Sequence, residues 1–197
     1  GGMKQRDATE RDLPAIVEIY NAAVATRMAT AQLEPVTVAE RLDWFREHTP
    51  ATHPLWVLED DGRIAAWLSF SVFIRRAAYA ITSELSIYVH QDFQRRGLGA
   101  RLLGAAIEQA PQLGLTTLLG VIFGHNTPSL RLFERFDFER WGKLPRVANL
   151  DGIERDGIIL GRRVGDESWQ GLSSPAARGI SPALPAPSLR RTAKVTW

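Results

Sequence analysis

Cysteine is absent from the 197 residues. That excludes disulfides, thiolate metal sites and a thiol nucleophile carrying a covalent intermediate. Long apolar runs are missing too: no stretch approaches the roughly 20 residues that a membrane-spanning helix requires, so no membrane partner is expected. Residues Lys4 to Asp12 are polar and the apolar segment behind them is amphipathic, which is unlike a signal peptide and leads us to expect a cytoplasmic protein. Gly1-Gly2 ahead of Met3 reads as an expression scar. Excess charge of one sign is lacking as well. The formal net charge is +2, and Arg178, Arg190, Arg191 and Lys194 against Asp166 and Glu167 place it beyond Gly165. Residues 1–165 are thereby neutral, which argues against nucleic acid as a partner. The histidines, His48, His53, His90 and His125, have no H-x-x-x-H spacing and no acid cluster beside them. We read them as surface or loop residues and expect no metal.

What is present divides the chain in two. Residues 1–165 carry the periodic apolar pattern of one globular domain, long enough to bury about 70% of its unfolded surface. Residues 166–197 lose that periodicity, with Pro175, Pro182, Pro185 and Pro187 among serines and alanines. A flexible tail is expected there, or one laid along the core or a second subunit through Trp169 and Trp197.

Within the domain, Thr9 to Asp12 caps an amphipathic helix containing Leu13, Ile16, Val17, Tyr20 and Val24, and Thr37 to Glu40 forms a capping box for a second. Between them Arg27 to Pro35 reads as a loop. Leu55 to Leu58 and Arg63 to Phe73 read as strands joined by a turn at Asp60-Asp61-Gly62. Leu115 to Phe123 is an almost continuous apolar run, as expected of a strand buried on both faces. Asn126-Thr127-Pro128-Ser129 starts a further helix, and strands around Phe138–Leu144 and Ile153–Val164 flank a turn at Asp151-Gly152.

The most informative stretch runs from Thr82 to Arg101. Its first half alternates, with Leu85, Ile87 and Val89 on one face of a strand and Glu84, Ser86 and Tyr88 on the other. Its second half, Gln94-Arg95-Arg96-Gly97-Leu98-Gly99, is a glycine loop opening a helix through Leu102, Leu103, Ala106 and Ile107. Glycines let the backbone approach a ligand, and the unpaired N–H groups of a first helical turn favour phosphate oxygens. Neither the three glycines of a Rossmann fingerprint nor the G-K-[ST] of a Walker loop is present. On these six residues alone, a solvated glycine turn stays open as the alternative.

The Q-x-x-G-x-G loop after an alternating strand, followed by helix, buried strand and N-x-x-S, resembles the GNAT acyltransferase superfamily over roughly residues 4–164. Phe73 to Val89, F-x-x-R-x-A-Y-x-x-T-x-E-x-S-x-Y-V, is similar within it to the phosphinothricin and methionine sulfone or sulfoximine N-acetyltransferases. The resemblance implies an α/β fold whose mixed central sheet has splayed parallel strands and flanking helices. It also implies acetyl-CoA as cosubstrate, a small-molecule amine as acceptor and a homodimer.

Residue by residue, it assigns the cofactor to Ile87, Tyr88, Val89, Gln94, Arg95, Arg96, Gly97, Leu98, Gly99, Ala100, Asn126 and Ser129. It assigns the acceptor to Phe73, Arg75, Arg76, Tyr79 and Thr82, the arginines as a carboxylate or phosphinate clamp, and lets the Arg27–Pro35 loop help wall the pocket. Glu84 is the candidate base, because an ammonium must lose a proton before its nitrogen attacks. If the strand splays after Tyr88, as in that superfamily, the N–H of Val89 or Tyr88 can polarise the thioester carbonyl. With no cysteine, transfer would be direct, from donor to acceptor. Two positions depart from the pattern: Phe133 stands where many members have a tyrosine that protonates the leaving thiolate, and Asp137-Phe138 replaces Gly-Phe. The competing readings are a different acceptor, such as a polyamine, an aminoglycoside or a protein N-terminus, and a non-catalytic acyl-CoA-binding module.

Overall fold

The computed structural model describes residues 2–165, so the expectations for the tail lie outside the described residues. Seven strands, β1 (Lys4–Asp7), β2 (Leu55–Asp60), β3 (Arg63–Val72), β4 (Thr82–Val89), β5 (Thr117–Phe123), β6 (Glu139–Leu150) and β7 (Ile153–Arg163), form one mixed sheet. Their order is β1-β2-β3-β4-β5-β7-β6. Four helices accompany it: α1 (Leu13–Thr26), α2 (Val38–Arg46), α3 (Leu98–Gln109) and α4 (Thr127–Arg135).

Strand alternation divides the core between the two faces. Trp56, Leu58, Ala66, Leu68 and Phe70 pack with Leu102, Leu103 and Ala106 of α3 and with Leu130 and Phe133 of α4. Leu55, Val57 and Trp67 point the other way, onto Ile16 and Ile19 of α1 and Phe45 of α2. Both capping boxes form. The Thr9 N–H donates to Asp12 Oδ2 at 2.7 Å, and Thr37 Oγ1 accepts from the Glu40 N–H at 3.1 Å. The β2–β3 turn places Asp61 (φ 47°) and Gly62 (φ 79°) in the left-handed region, the two-residue geometry that suits the twist of a hairpin.

Two elements differ from the sequence reading. β1 carries the polar run Lys4-Gln5-Arg6-Asp7 and sits at a sheet edge, where charged residues also discourage pairing with other chains. No apolar alternation announces it. β6 runs on to Leu150 rather than ending near Leu144, because register shifts between Arg140 and Gly142 and between Leu144 and Ala148 absorb the irregular residues, Pro145 among them.

Edge strand β1 is anchored by Arg6, whose guanidinium donates to both carboxylate oxygens of Asp12 at 2.7 and 2.9 Å and to Glu59 Oε2 at 3.1 Å. The hydrogen bond from Arg6 holds the Asp12 carboxyl below its ordinary value. The resulting stability is fully present above the unfolded carboxylate pKa, near 4, and is lost as pH falls through the lower folded value. Arg6→Ala is expected to cost about 1–3 kcal/mol at pH 7, since Asp12 loses a charged partner while retaining some contact with water. The difference from wild type should shrink in urea titrations below pH 4. A pH-independent difference would remove the ion pair as its cause.

Candidate active site

β4 and β5 are the parallel pair, and they are joined only over Thr82–Thr117, Ser83–Leu118 and Glu84–Leu119. Beyond that point β4 stays with β3 as far as Val89 while β5 follows β7. The strands therefore part after Glu84, four residues earlier than a splay after Tyr88. A cavity of about 970 Å³ occupies the gap and is lined from both faces of the sheet.

The α1/α2 face contributes Tyr20, Met28 to Ala31, Arg41, Trp44, Trp67, Ser69, Ser71, Glu84, Ser86 and Tyr88 to the lining. Rings dominate there. Tyr88 stacks on Trp67 with centroids 4.6 Å apart, Tyr20 meets Tyr88 edge-on at 5.3 Å, and Trp44 meets Trp67 edge-on at 5.5 Å. Tyr20 Oη and Thr30 Oγ1 share a hydrogen bond of 2.7 Å, and Tyr88 Oη donates to the Ala29 carbonyl at 3.3 Å. These two bonds hold the Arg27–Pro35 loop over the cavity. Burial pushes the Tyr88 hydroxyl well above its ordinary value, so it remains a proton donor.

Glu84 is half-buried, and desolvation pushes its carboxyl up from the ordinary value. Its carboxylate has no hydrogen-bond partner among the described residues. Near it, Ser69 is buried and tied to His48, with Ser69 Oγ 2.6 Å from His48 Nε2 and His48 Nδ1 2.9 Å from the Trp44 carbonyl. A carbonyl only accepts, so Nδ1 carries the proton and Nε2 accepts from the serine hydroxyl. Burial lowers the His48 pKa, which keeps the ring neutral. His48 is thus an inward link between the end of α2 and β3, not a surface histidine.

The α3/α4 face contributes Leu85, Ile87 and Val89 of β4 together with Gln94, Arg95, Gly97, Leu98, Gly99, Ala100, Asn126 and Ser129. Gly97 caps α3 at φ 71°, ψ 20°, a left-handed conformation, and a Cβ built there would meet nothing within 4 Å. Glycine is favoured here by conformation, and the space around it is open. The Gln94 side chain donates to the Val89 carbonyl at 2.8 Å, fastening the loop to the strand end. The His90 N–H donates to the Ala65 carbonyl at 2.8 Å. By antiparallel alternation, Tyr88 then exchanges its bonds with Trp67, and the N–H groups of Ile87 and Val89 turn towards the gap. Asn126 Oδ1 accepts from the Ser129 N–H at 3.3 Å, capping α4 at the cavity wall.

The remaining expected residues lie elsewhere. Arg96 stacks over the Phe93 ring at 5.0 Å and does not line the cavity. Phe73, Arg75, Arg76, Tyr79 and Thr82 do not line it either. Arg75 is exposed and paired with Glu47 at 3.2 Å, while Arg76 donates to the Arg75 carbonyl at 3.0 Å. The ring-lined pocket, with Tyr20, Arg41, Trp44, Trp67 and Ser69, was missed from the sequence, where each residue fits an ordinary amphipathic pattern. Phe133 packs on Phe138 with centroids 4.8 Å apart and against Gly120. Among the described residues no group of three His, Asp or Glu side chains is set to hold a metal ion.

Residues 16–138 match the family model described as Acetyltransferase (GNAT) family. A Bacillus subtilis protein named "Putative phosphinothricin acetyltransferase YwnH" is 48% identical over 163 residues, covering 82% of this chain and 99% of its own. The L-methionine sulfoximine/L-methionine sulfone acetyltransferase of Pseudomonas aeruginosa is 35% identical over 148 residues, or 75% of this chain and 86% of its own. Among solved structures, a GNAT superfamily phosphinothricin acetyltransferase from Sinorhizobium meliloti in complex with acetyl-CoA superposes with a TM-score of 0.79 at 29% identity, covering 83% of this chain and 89% of that one.

Proposed function

Because this chain belongs to the GNAT acetyltransferase family, we propose that it moves an acetyl group from acetyl-CoA to the α-amine of a small amino-acid analogue. Methionine sulfone, methionine sulfoximine and phosphinothricin are the first acceptors to consider, since enzymes named for them are among its relatives. The observation that carries the reading is the position of Glu84. It is the last β4 residue paired with β5, and half-buried it lines the cavity that opens where the strands part.

The residues of the α3/α4 face fit acetyl-CoA. Gly97 leaves the start of α3 open, and the free amides of the first helical turn, with Arg95 beside them, suit a polyphosphate. Bound there, acetyl-CoA supplies an activated thioester. The Val89 N–H, turned into the gap, would donate to the carbonyl oxygen as it gains charge. From the opposite face Glu84 would take the ammonium proton, directly or through water; burial strengthens it as a base by raising its pKa. An amine titrating near 8 loses its proton at neutral pH for about 1.4 kcal/mol, so holding both reactants in the gap, worth roughly 7 kcal/mol or more, is the larger effect. Direct attack leaves no role for a covalent enzyme intermediate. The same reading makes the protein a cytoplasmic homodimer, and sedimentation is the check on the second subunit.

Free-thiol release from acetyl-CoA, measured against methionine sulfone, phosphinothricin, common amino acids, polyamines and an aminoglycoside, tests the proposal. Selective turnover of the first two is expected. Turnover of polyamines alone would overturn the acceptor class, and silence with acetyl-CoA still bound would make the chain a binding module.

A further inference from the structure

We infer that Arg41 is the specificity-determining residue for the acceptor, holding its carboxylate or other acidic end across the pocket from Glu84. The inference rests on the amino-acid reading above and names what in this chain recognises an amino acid rather than a simple amine.

The guanidinium of Arg41 lies over the Tyr20 ring at 4.5 Å and beside the Trp44 ring at 5.7 Å, and it lines the cavity. Stacking on two rings fixes a planar cation while leaving its N–H edge free to donate. No carboxylate among the described residues lies within ion-pair distance of it, and no hydrogen bond satisfies it there. Arg95 and Arg135 also line the cavity, but they belong to the glycine loop and to α4, on the α3/α4 face. Arg41 is therefore the one cation lining the α1/α2 face among the described residues.

Glu84 is the acidic counterpart on that face, and the charges of Arg41 and Glu84 both reach the Tyr88 hydroxyl, with opposite effects on it. One unpaired cation and one half-buried carboxylate around a ring-lined space complement a zwitterion: the ammonium goes to the acid that must deprotonate it, and the acidic group goes to the arginine. A polyamine would bring a second positive charge towards Arg41 and be repelled. Arg75 and Arg76 do not line the cavity.

The test compares methionine sulfone with its methyl ester, which keeps the amine and side chain but removes the negative charge. Arg41→Gln should lower kcat/KM for the acid by about 10- to 100-fold, the size of a lost charge-assisted contact, and for the ester by less than about 3-fold. The KM for acetyl-CoA should stay where it was. Arg41→Lys should fall between wild type and Arg41→Gln with the acid, and it carries the comparison if the glutamine variant folds poorly. Equal losses on acid and ester would make Arg41 a packing residue and overturn the inference while leaving the acceptor class intact. Turnover of polyamines but not of methionine sulfone by the wild-type enzyme would overturn both.

Discussion

Gly97→Trp is expected to weaken acetyl-CoA binding at least about 100-fold, or roughly 2.8 kcal/mol, with titration calorimetry as the measurement. Two effects combine. Gly97 holds a left-handed conformation that costs an L-residue about 1–2 kcal/mol, and the indole would fill the open space at the start of α3 where phosphate oxygens would lie. Gly97→Ala separates them. Its Cβ meets nothing within 4 Å, so alanine carries the strain without the obstruction and should lower stability more than affinity. Unchanged affinity in the tryptophan variant would remove the loop from the cofactor site.

Glu84→Gln is expected to lower kcat by about 10²- to 10³-fold, the range of a lost general base, with little change in the KM for acetyl-CoA. The wild-type rate should fall as pH drops through the raised Glu84 pKa, and that limb should disappear in the variant. Stability should move the other way. A carboxyl whose folded pKa lies above its unfolded value stabilises the fold below the unfolded pKa, near 4, and loses that contribution as pH rises through the folded value. At pH 7.5 the ionised, desolvated carboxylate is a cost that glutamine avoids, so the variant should melt higher there and approach wild type near pH 4. An unchanged kcat would mean that proton removal needs no help from this residue.

Much of the frame was legible because it rests on local chemistry. Thr9 with Asp12, Thr37 with Glu40, and Asp61-Gly62 each specify a cap or turn within four residues, and all three form. The glycine at position 97 announced its own backbone conformation. β1 was invisible because an edge strand of Lys, Gln, Arg and Asp gains its place from pairing with β2 and from Arg6, not from apolar alternation. The ring-lined pocket was hidden for a different reason. Tyr20, Arg41, Trp67 and Tyr88 come from two helices and two strands: β3–β4 pairing stacks Trp67 on Tyr88, and only the packing of α1 and α2 on the sheet adds Tyr20 and Arg41 to them. The parting of the strands at Glu84 depends on where β5, paired with β7 along its whole length, ceases to pair with β4, which no residue type in β4 encodes.

One consequence of β4 concerns how such a protein can change. Glu84, Ser86 and Tyr88 line the α1/α2 side of the cavity and Leu85, Ile87 and Val89 the α3/α4 side, so on the proposed reading the parity of a residue number decides which reactant it would serve. Substitutions confined to one parity can retune the choice of amine and leave the donor's berth untouched. Insertion or deletion of a single residue would exchange the two sets and spoil both at once. A lineage built on this strand is free to drift in what it acetylates but is locked in its spacing.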